Sequence, residues 1–242
     1  MTRRSCDGPG LLAAFRAAVA NLEAHVAEID GLNVYPVPDG DTGSNMLATV
    51  RAALDEAEKV VDPTAARIAT AISFGALMGA RGNSGVITSQ IFRGMAEGFG
   101  GKRRFNGLDL AHALRVGAET AYAAVLKPVE GTILTVVRDS ADAAIEAAER
   151  TNDLESVLAT VVDAAGRSVA RTPAGRVLSG CSRERCGRSI AQRPSLRRLV
   201  PAHRRSLPGP MTDSATRRCS SSSHMPMRTG PAWTSTRFAA GS

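Results

Sequence analysis

Apolar side chains recur along the first two thirds of the chain at steps of three and four, the period of one helix face. Phe15, Val19, Leu22, Val26 and Ile29 place a helix over residues 11–29. Met46, Val50, Leu54, Ala57 and Val61 place a second over 45–61, and Pro63-Thr64 opens a third through Ile68, Ile72 and Leu77. The period resumes from Val86 to about Met95, from Leu108 to Leu126, from Thr132 to Ala148 and from Leu154 to Val169. Asn152-Asp153 supplies a cap for the last of these. No strand-like alternation lasts more than a few residues, so the pattern predicts seven helices on short connectors and an all-α class.

The pattern stops after Arg171-Thr172-Pro173. Of the last 67 residues only 12 are Val, Ile, Leu, Met, Phe or Trp, against 12 Ser and 13 Arg. So little apolar surface cannot offset the entropy of ordering, and residues 176–242 are expected to be disordered. Charge divides at the same place. Residues 1–175 carry 17 Lys and Arg against 21 Asp and Glu, whereas 176–242 carry 13 Arg against two acids. The overall charge of +7 therefore belongs to the tail and is no nucleic-acid signal for the domain. With only Trp233 and Phe238 for stacking and no folded motif, nucleic-acid binding is not expected. Cys6 stands apart from Cys181, Cys186 and Cys219, with no metal-type spacing among them. No apolar run of about 18 residues exists and the N-terminus lacks a signal-peptide core, so a soluble cytoplasmic chain without a membrane span is expected.

Three connectors carry candidate chemistry. In "NVYPVPDGDTGSNM" Asp39 and Asp41 stand one residue apart on a loop stiffened by Pro36 and Pro38, with Gly40 and Gly43 for tight turns. Two carboxylates that close suit a hard cation such as Mg²⁺, shared with phosphates, and Thr42, Ser44 and Asn45 can add oxygens or hydrogen bonds. An Asp-Gly turn with a solvated N-cap is the plainer reading. An EF-hand is excluded, because Ser44 falls where its glycine belongs and Val50 where its bidentate glutamate belongs. In "GARGNSG" the glycines from Gly79 to Gly85 lead into a helix, which makes either a packing turn or an anion site of backbone N–H groups. No Walker A loop or GxGxxG occurs. "KPVEGT" reads as a helix stop and a capped start at Thr132, a position from which a hydroxyl can also touch nucleotide. His25, near an apolar face, reads as structural.

Together, "LNVYPVPDGDTGSNM", "GARGNSGVITSQ" and "KPVEGTILTVVRD" resemble the DhaL-type nucleotide-binding domain, in the form that opens bacterial fatty acid kinases. Dihydroxyacetone (glycerone) kinase ATP-binding subunits are more distant relatives. The likeness spans roughly residues 10–173. It implies a barrel of antiparallel amphipathic helices, usually eight, with ATP and Mg²⁺ at one end. Asp39 and Asp41 map onto the Mg²⁺-chelating catalytic acids, and Asn33, standing where dihydroxyacetone kinases carry a further aspartate, maps onto a third metal position. Ser84 maps onto the phosphate-contacting serine, with Thr42, Asn45, Gly82, Gly85 and Thr132 as further nucleotide contacts. The implied reaction is phosphoryl transfer from ATP to a fatty-acid carboxylate on a DegV-like carrier protein, giving an acyl phosphate. The alternatives are a triose hydroxyl on a dihydroxyacetone-binding subunit, or a truncated and inactive nucleotide-binding module.

The chain departs from this pattern after residue 175. The last family helix, with its GVVDAGG-like motif, and the long continuation of fatty acid kinases are absent from the sequence. Arg, Ser and Pro without Lys are what an out-of-frame reading of GC-rich coding DNA gives. The tail is therefore expected to be a frameshift product, and the domain, 1–175, to have lost its closing helix.

Overall fold

The computed structural model describes residues 5–33 and 39–172; the 176–242 tail and the Pro36 and Pro38 positions lie outside them. The described chain is all-α apart from one two-residue pair. In order it runs β1 (Cys6–Asp7), α1 (Gly8–Ala24), α2 (Val26–Gly31), α3 (Thr42–Ala57), α4 (Ala65–Met78) and α5 (Gly82–Phe99). It continues through β2 (Arg104–Phe105), α6 (Gly107–Ala123), α7 (Ile133–Arg150) and α8 (Leu154–Arg171).

Among the described residues there are eight helices where periodicity predicts seven, because the first predicted helix is two. It starts earlier than the apolar pattern, at Gly8, since Asp7 accepts from the Gly10 amide at 3.0 Å and Pro9 occupies the first turn. It breaks at His25, which leaves helical geometry while its Nδ1 lies 2.7 Å from the Asn21 carbonyl oxygen. Apolar spacing cannot reveal that break, because Leu22, Val26 and Ile29 keep their period across it. The β1–β2 pair, Cys6 opposite Phe105 and Asp7 opposite Arg104, is too short to leave an alternating pattern.

The 100–106 connector between α5 and α6 does more than span a gap. Its Lys102 and Arg103 carbonyl oxygens accept from the Ala66 and Ala65 amides at 2.9 and 3.1 Å, satisfying the start of α4. Each of α3 to α8 packs against the next in sequence, and α1 lies on α3 and α4. The core is alanine-rich, which lets the helices approach closely. Phe99 and Phe105 form its largest apolar pair, rings 4.7 Å apart and both buried, beside Ala65, Ala111 and Val157. Full burial of one such ring is worth about 1.5–3 kcal/mol.

Candidate functional site

The acidic loop and the glycine turn lie about forty residues apart in sequence and meet at one end of the bundle. α3 begins at Thr42 and α5 at Gly82, so most of the predicted glycine turn is in fact the first helical turn of α5. Ser84 Oγ donates to the Thr42 carbonyl oxygen at 3.4 Å. The buried Thr49 hydroxyl joins the two segments further down, donating to the Asn45 carbonyl at 2.8 Å and accepting from the Arg81 amide at 3.3 Å. Gly82 has φ +57°, and a Cβ there would stand 2.3 Å from Asn45 Nδ2. The positive φ is what requires glycine there, since the Asn45 amide is the movable end of a side chain. Gly85 is buried under the same threonine.

Asp39 and Asp41 are both exposed. Asn33 Nδ2 donates to Asp39 Oδ1 at 2.5 Å, so Asn33 meets the acidic pair as a donor that orients Asp39. Asp41 is the N-cap residue of α3 but makes no side-chain capping bond. The cap comes from Asp30 at the end of α2. Its Oδ1 accepts from the Gly43 and Ser44 amides at 2.6 and 3.1 Å, and its Oδ2 from the Ser44 hydroxyl at 2.7 Å. Burial pushes the Asp30 carboxyl up, but these three bonds prevail and hold it below the ordinary carboxylate value. Sequence reasoning misses Asp30 and Thr49, since neither stands inside a motif at a diagnostic spacing.

The third connector is organised separately. Thr132 caps α7: its hydroxyl donates to the Val129 carbonyl at 2.8 Å and accepts from the Leu134 amide at 3.4 Å. Neither bond reaches the other two segments, so among described hydrogen bonds the structure does not join Thr132 to Asp41 or Ser84. What fixes this loop is Glu130. Arg138 grips its two carboxylate oxygens at 2.7 and 2.9 Å, and Thr135 Oγ1 donates at 2.7 Å and Tyr122 OH at 3.2 Å. The Arg138 and Thr135 hydrogen bonds hold the Glu130 carboxyl down at about 2. Glu130 and Arg138 both lie in "KPVEGTILTVVRD", yet eight residues is not a helix-pair spacing and the link shows only once the loop folds back.

That clamp has a pH signature. The unfolded Glu130 takes its proton near the ordinary value of 4.5 and the folded one near 2, so its contribution is whole above 4.5 and disappears as pH falls toward 2. Glu130→Gln is expected to flatten this acid limb and to raise hydrogen exchange in residues 125–132. Amide exchange at pH 6 and at pH 3 checks both. An unchanged exchange map would show that the loop is held by something else.

Two exposed carboxylates on one short loop, one of them excused from its capping duty, suit a hard cation. The amide-rich α5 start beside them suits an anion. No group of three or more His, Cys, Asp or Glu side chains arranged for a metal occurs among the described residues. A family model for the DAK2 domain matches residues 36–183. The chain belongs to the DAK2 domain family. A DAK2 domain is a DhaL-type, kinase-family domain, in line with the resemblance carried by the three motifs. Among similar proteins, Protein YloV of Bacillus subtilis is 43% identical over 173 residues, 72% of this chain and 31% of that protein. Uncharacterized proteins of Staphylococcus saprophyticus and Staphylococcus haemolyticus are each 46% identical over 153 residues, 63% of this chain and 28% of theirs. This DAK2 chain therefore spans less than a third of the length of these curated relatives. No described helix is long and apolar enough to cross a membrane.

Proposed function

We propose that this DAK2 domain binds Mg²⁺·ATP at the joined α3 and α5 starts and transfers the γ-phosphoryl group to a fatty-acid carboxylate presented by a DegV-like carrier protein. The observation that carries the reading is the junction itself: Ser84 of the glycine turn bonded to Thr42 of the acidic loop. It sets a carboxylate pair beside a row of helix-start amides. Asp39 and Asp41 would hold Mg²⁺, with Asn33 orienting Asp39, and the ion would neutralise phosphate charge. Thr42, Asn45, Gly82, Ser84 and Gly85 would contribute the phosphate-facing side, and Thr132 would be a further nucleotide contact on the strength of the motif resemblance alone.

In the transfer a carboxylate oxygen of the acceptor attacks the γ-phosphorus, the bond to the β–γ bridging oxygen breaks, and ADP departs. The acceptor is already ionised, so no general base is required, and positioning with charge stabilisation does the work. The acceptor assignment rests on the "PVPDGDTG" and "KPVEGT" wording. Thin-layer separation of products from labelled ATP, with fatty acid on a carrier in one arm and dihydroxyacetone with its binding subunit in the other, tests it. Acyl phosphate supports the proposal; triose phosphate alone would replace it with the glycerone kinase reading.

We further propose that the kinase domain ends near residue 175, that 176–242 is a frameshift product, and that this chain keeps Mg²⁺·ATP affinity with little turnover. In support, the apolar helical period ends at Val169, and residues 176–242 carry 13 Arg against two acids. The family match nonetheless runs eight residues past that boundary, to 183. Sequencing the gene across the Pro173 codon decides it, an intact frame being the contrary result.

A further inference from the structure

A helix N-cap aspartate ordinarily accepts from the amide two or three residues on. At α3 those amides belong to Gly43 and Ser44, and both donate to Asp30 instead, while the N-cap side chain of Asp41 makes no capping bond. Each amide has one proton to give, so capping by Asp30 and capping by Asp41 compete. We propose that Asp30 is a positioning residue, a surrogate cap that keeps the Asp41 carboxylate turned outward and available to a divalent cation. This rests on the reading of Asp41 as a cation ligand. The Ser44 hydroxyl, bonded to Asp30 Oδ2 at 2.7 Å, locks the arrangement by fixing the second carboxylate oxygen.

Removing Asp30 leaves two helix-start amides without an acceptor, and Asp41 already occupies the backbone position from which an aspartate caps. Its carboxylate then turns inward and is lost to the cation. Asp30→Asn behaves differently, because the amide oxygen still accepts from both N–H groups.

The test uses the full chain, wild type, Asp30→Ala and Asp30→Asn. Mn²⁺ binding in the presence of ADP is followed by electron paramagnetic resonance. Through-hydrogen-bond NMR couplings identify which carboxyl carbon the Gly43 and Ser44 amides face. Asp30→Ala is expected to move those couplings from Asp30 to Asp41 and to weaken Mn²⁺ binding about 10- to 100-fold, the range for lost outer-shell partners. Asp30→Asn should keep near wild-type Mn²⁺ affinity. Should Asp30→Ala not fold, Ser44→Ala is expected to show the same shift in smaller measure. Amides left uncoupled to Asp41, or Asp30→Ala with undiminished Mn²⁺ affinity, would overturn the proposal. Failure of the wild type to bind Mn²⁺ would overturn the cation reading of Asp41, while the couplings would still decide whether the cap is exchanged.

Discussion

Asp41→Asn is expected to reduce the phosphoryl transfer that the chain retains by roughly 10²-fold or more, in the range that removal of a single charge-stabilising group costs elsewhere. Isothermal titration with ADP and Mg²⁺ should show the same variant losing the Mg²⁺-dependent part of nucleotide affinity and keeping the Mg²⁺-independent part. The reasoning is electrostatic. Asp39 and Asp41 are exposed acids held one residue apart, and Asp41 spends nothing on the helix it begins. Its charge therefore serves no described side-chain bond. For the same reason stability should barely move, within about 0.5 kcal/mol, as for other exposed substitutions away from structural features. Asp39→Asn should follow with a similar loss, since Asn33 can orient either side chain but only the carboxylate brings charge. A variant that lost stability and kept its Mg²⁺ dependence would mark Asp41 as an ordinary cap and remove the site.

The contrast with Asp30 shows what the sequence discloses. Helices were legible because burying one face imposes a period on local residues, and Val19, Val50 and Ile72 keep it and are buried. Helix starts were legible where the cap is local, as at Thr132 and Asp153. The α3 start was misplaced, at 45 instead of 42, because its cap comes from Asp30, thirteen residues before Gly43, whereas Pro63-Thr64 does open α4, Thr64 accepting locally from the Arg67 amide. The same distinction governs the site. The two motif loops could be read one by one, but their junction through Thr49 depends on how α3 lies on α5. The alternative of a bare packing turn at "GARGNSG" proves half right, because Gly82 and Gly85 do serve close contact, and that contact builds the junction.

Gly75→Ala should be strongly destabilising and Gly166→Ala mildly stabilising, although both place alanine inside a helix. Alanine is preferred over glycine in a helix interior by up to about 1 kcal/mol, and that gain is available at both positions. At Gly166 on α8 nothing lies within 4 Å of a new Cβ, so the gain stands alone. At Gly75 on α4 the Cβ would lie 2.4 Å from the Ala52 carbonyl oxygen and 2.8 Å from Ala53 Cα, both backbone atoms of α3. No rotamer can relieve that contact; α3 and α4 must part. Overpacking a core typically costs about 1–3 kcal/mol, and separating two helix backbones belongs at the upper end, so the clash outweighs the propensity gain. The consequence reaches function because α3 carries Asp41 through Asn45 and α4 ends at the glycine turn. Prying them apart shifts the acidic loop away from Ser84. Chemical denaturation should therefore show Gly75→Ala down by about 2 kcal/mol and Gly166→Ala up by as much as about 1 kcal/mol. Nucleotide titration of folded Gly75→Ala should also show weakened Mg²⁺·ADP binding, whereas Gly166→Ala keeps it. Equal stability in the two variants would mean that α3 and α4 are not held at this spacing, and the junction drawn from it would fall with them.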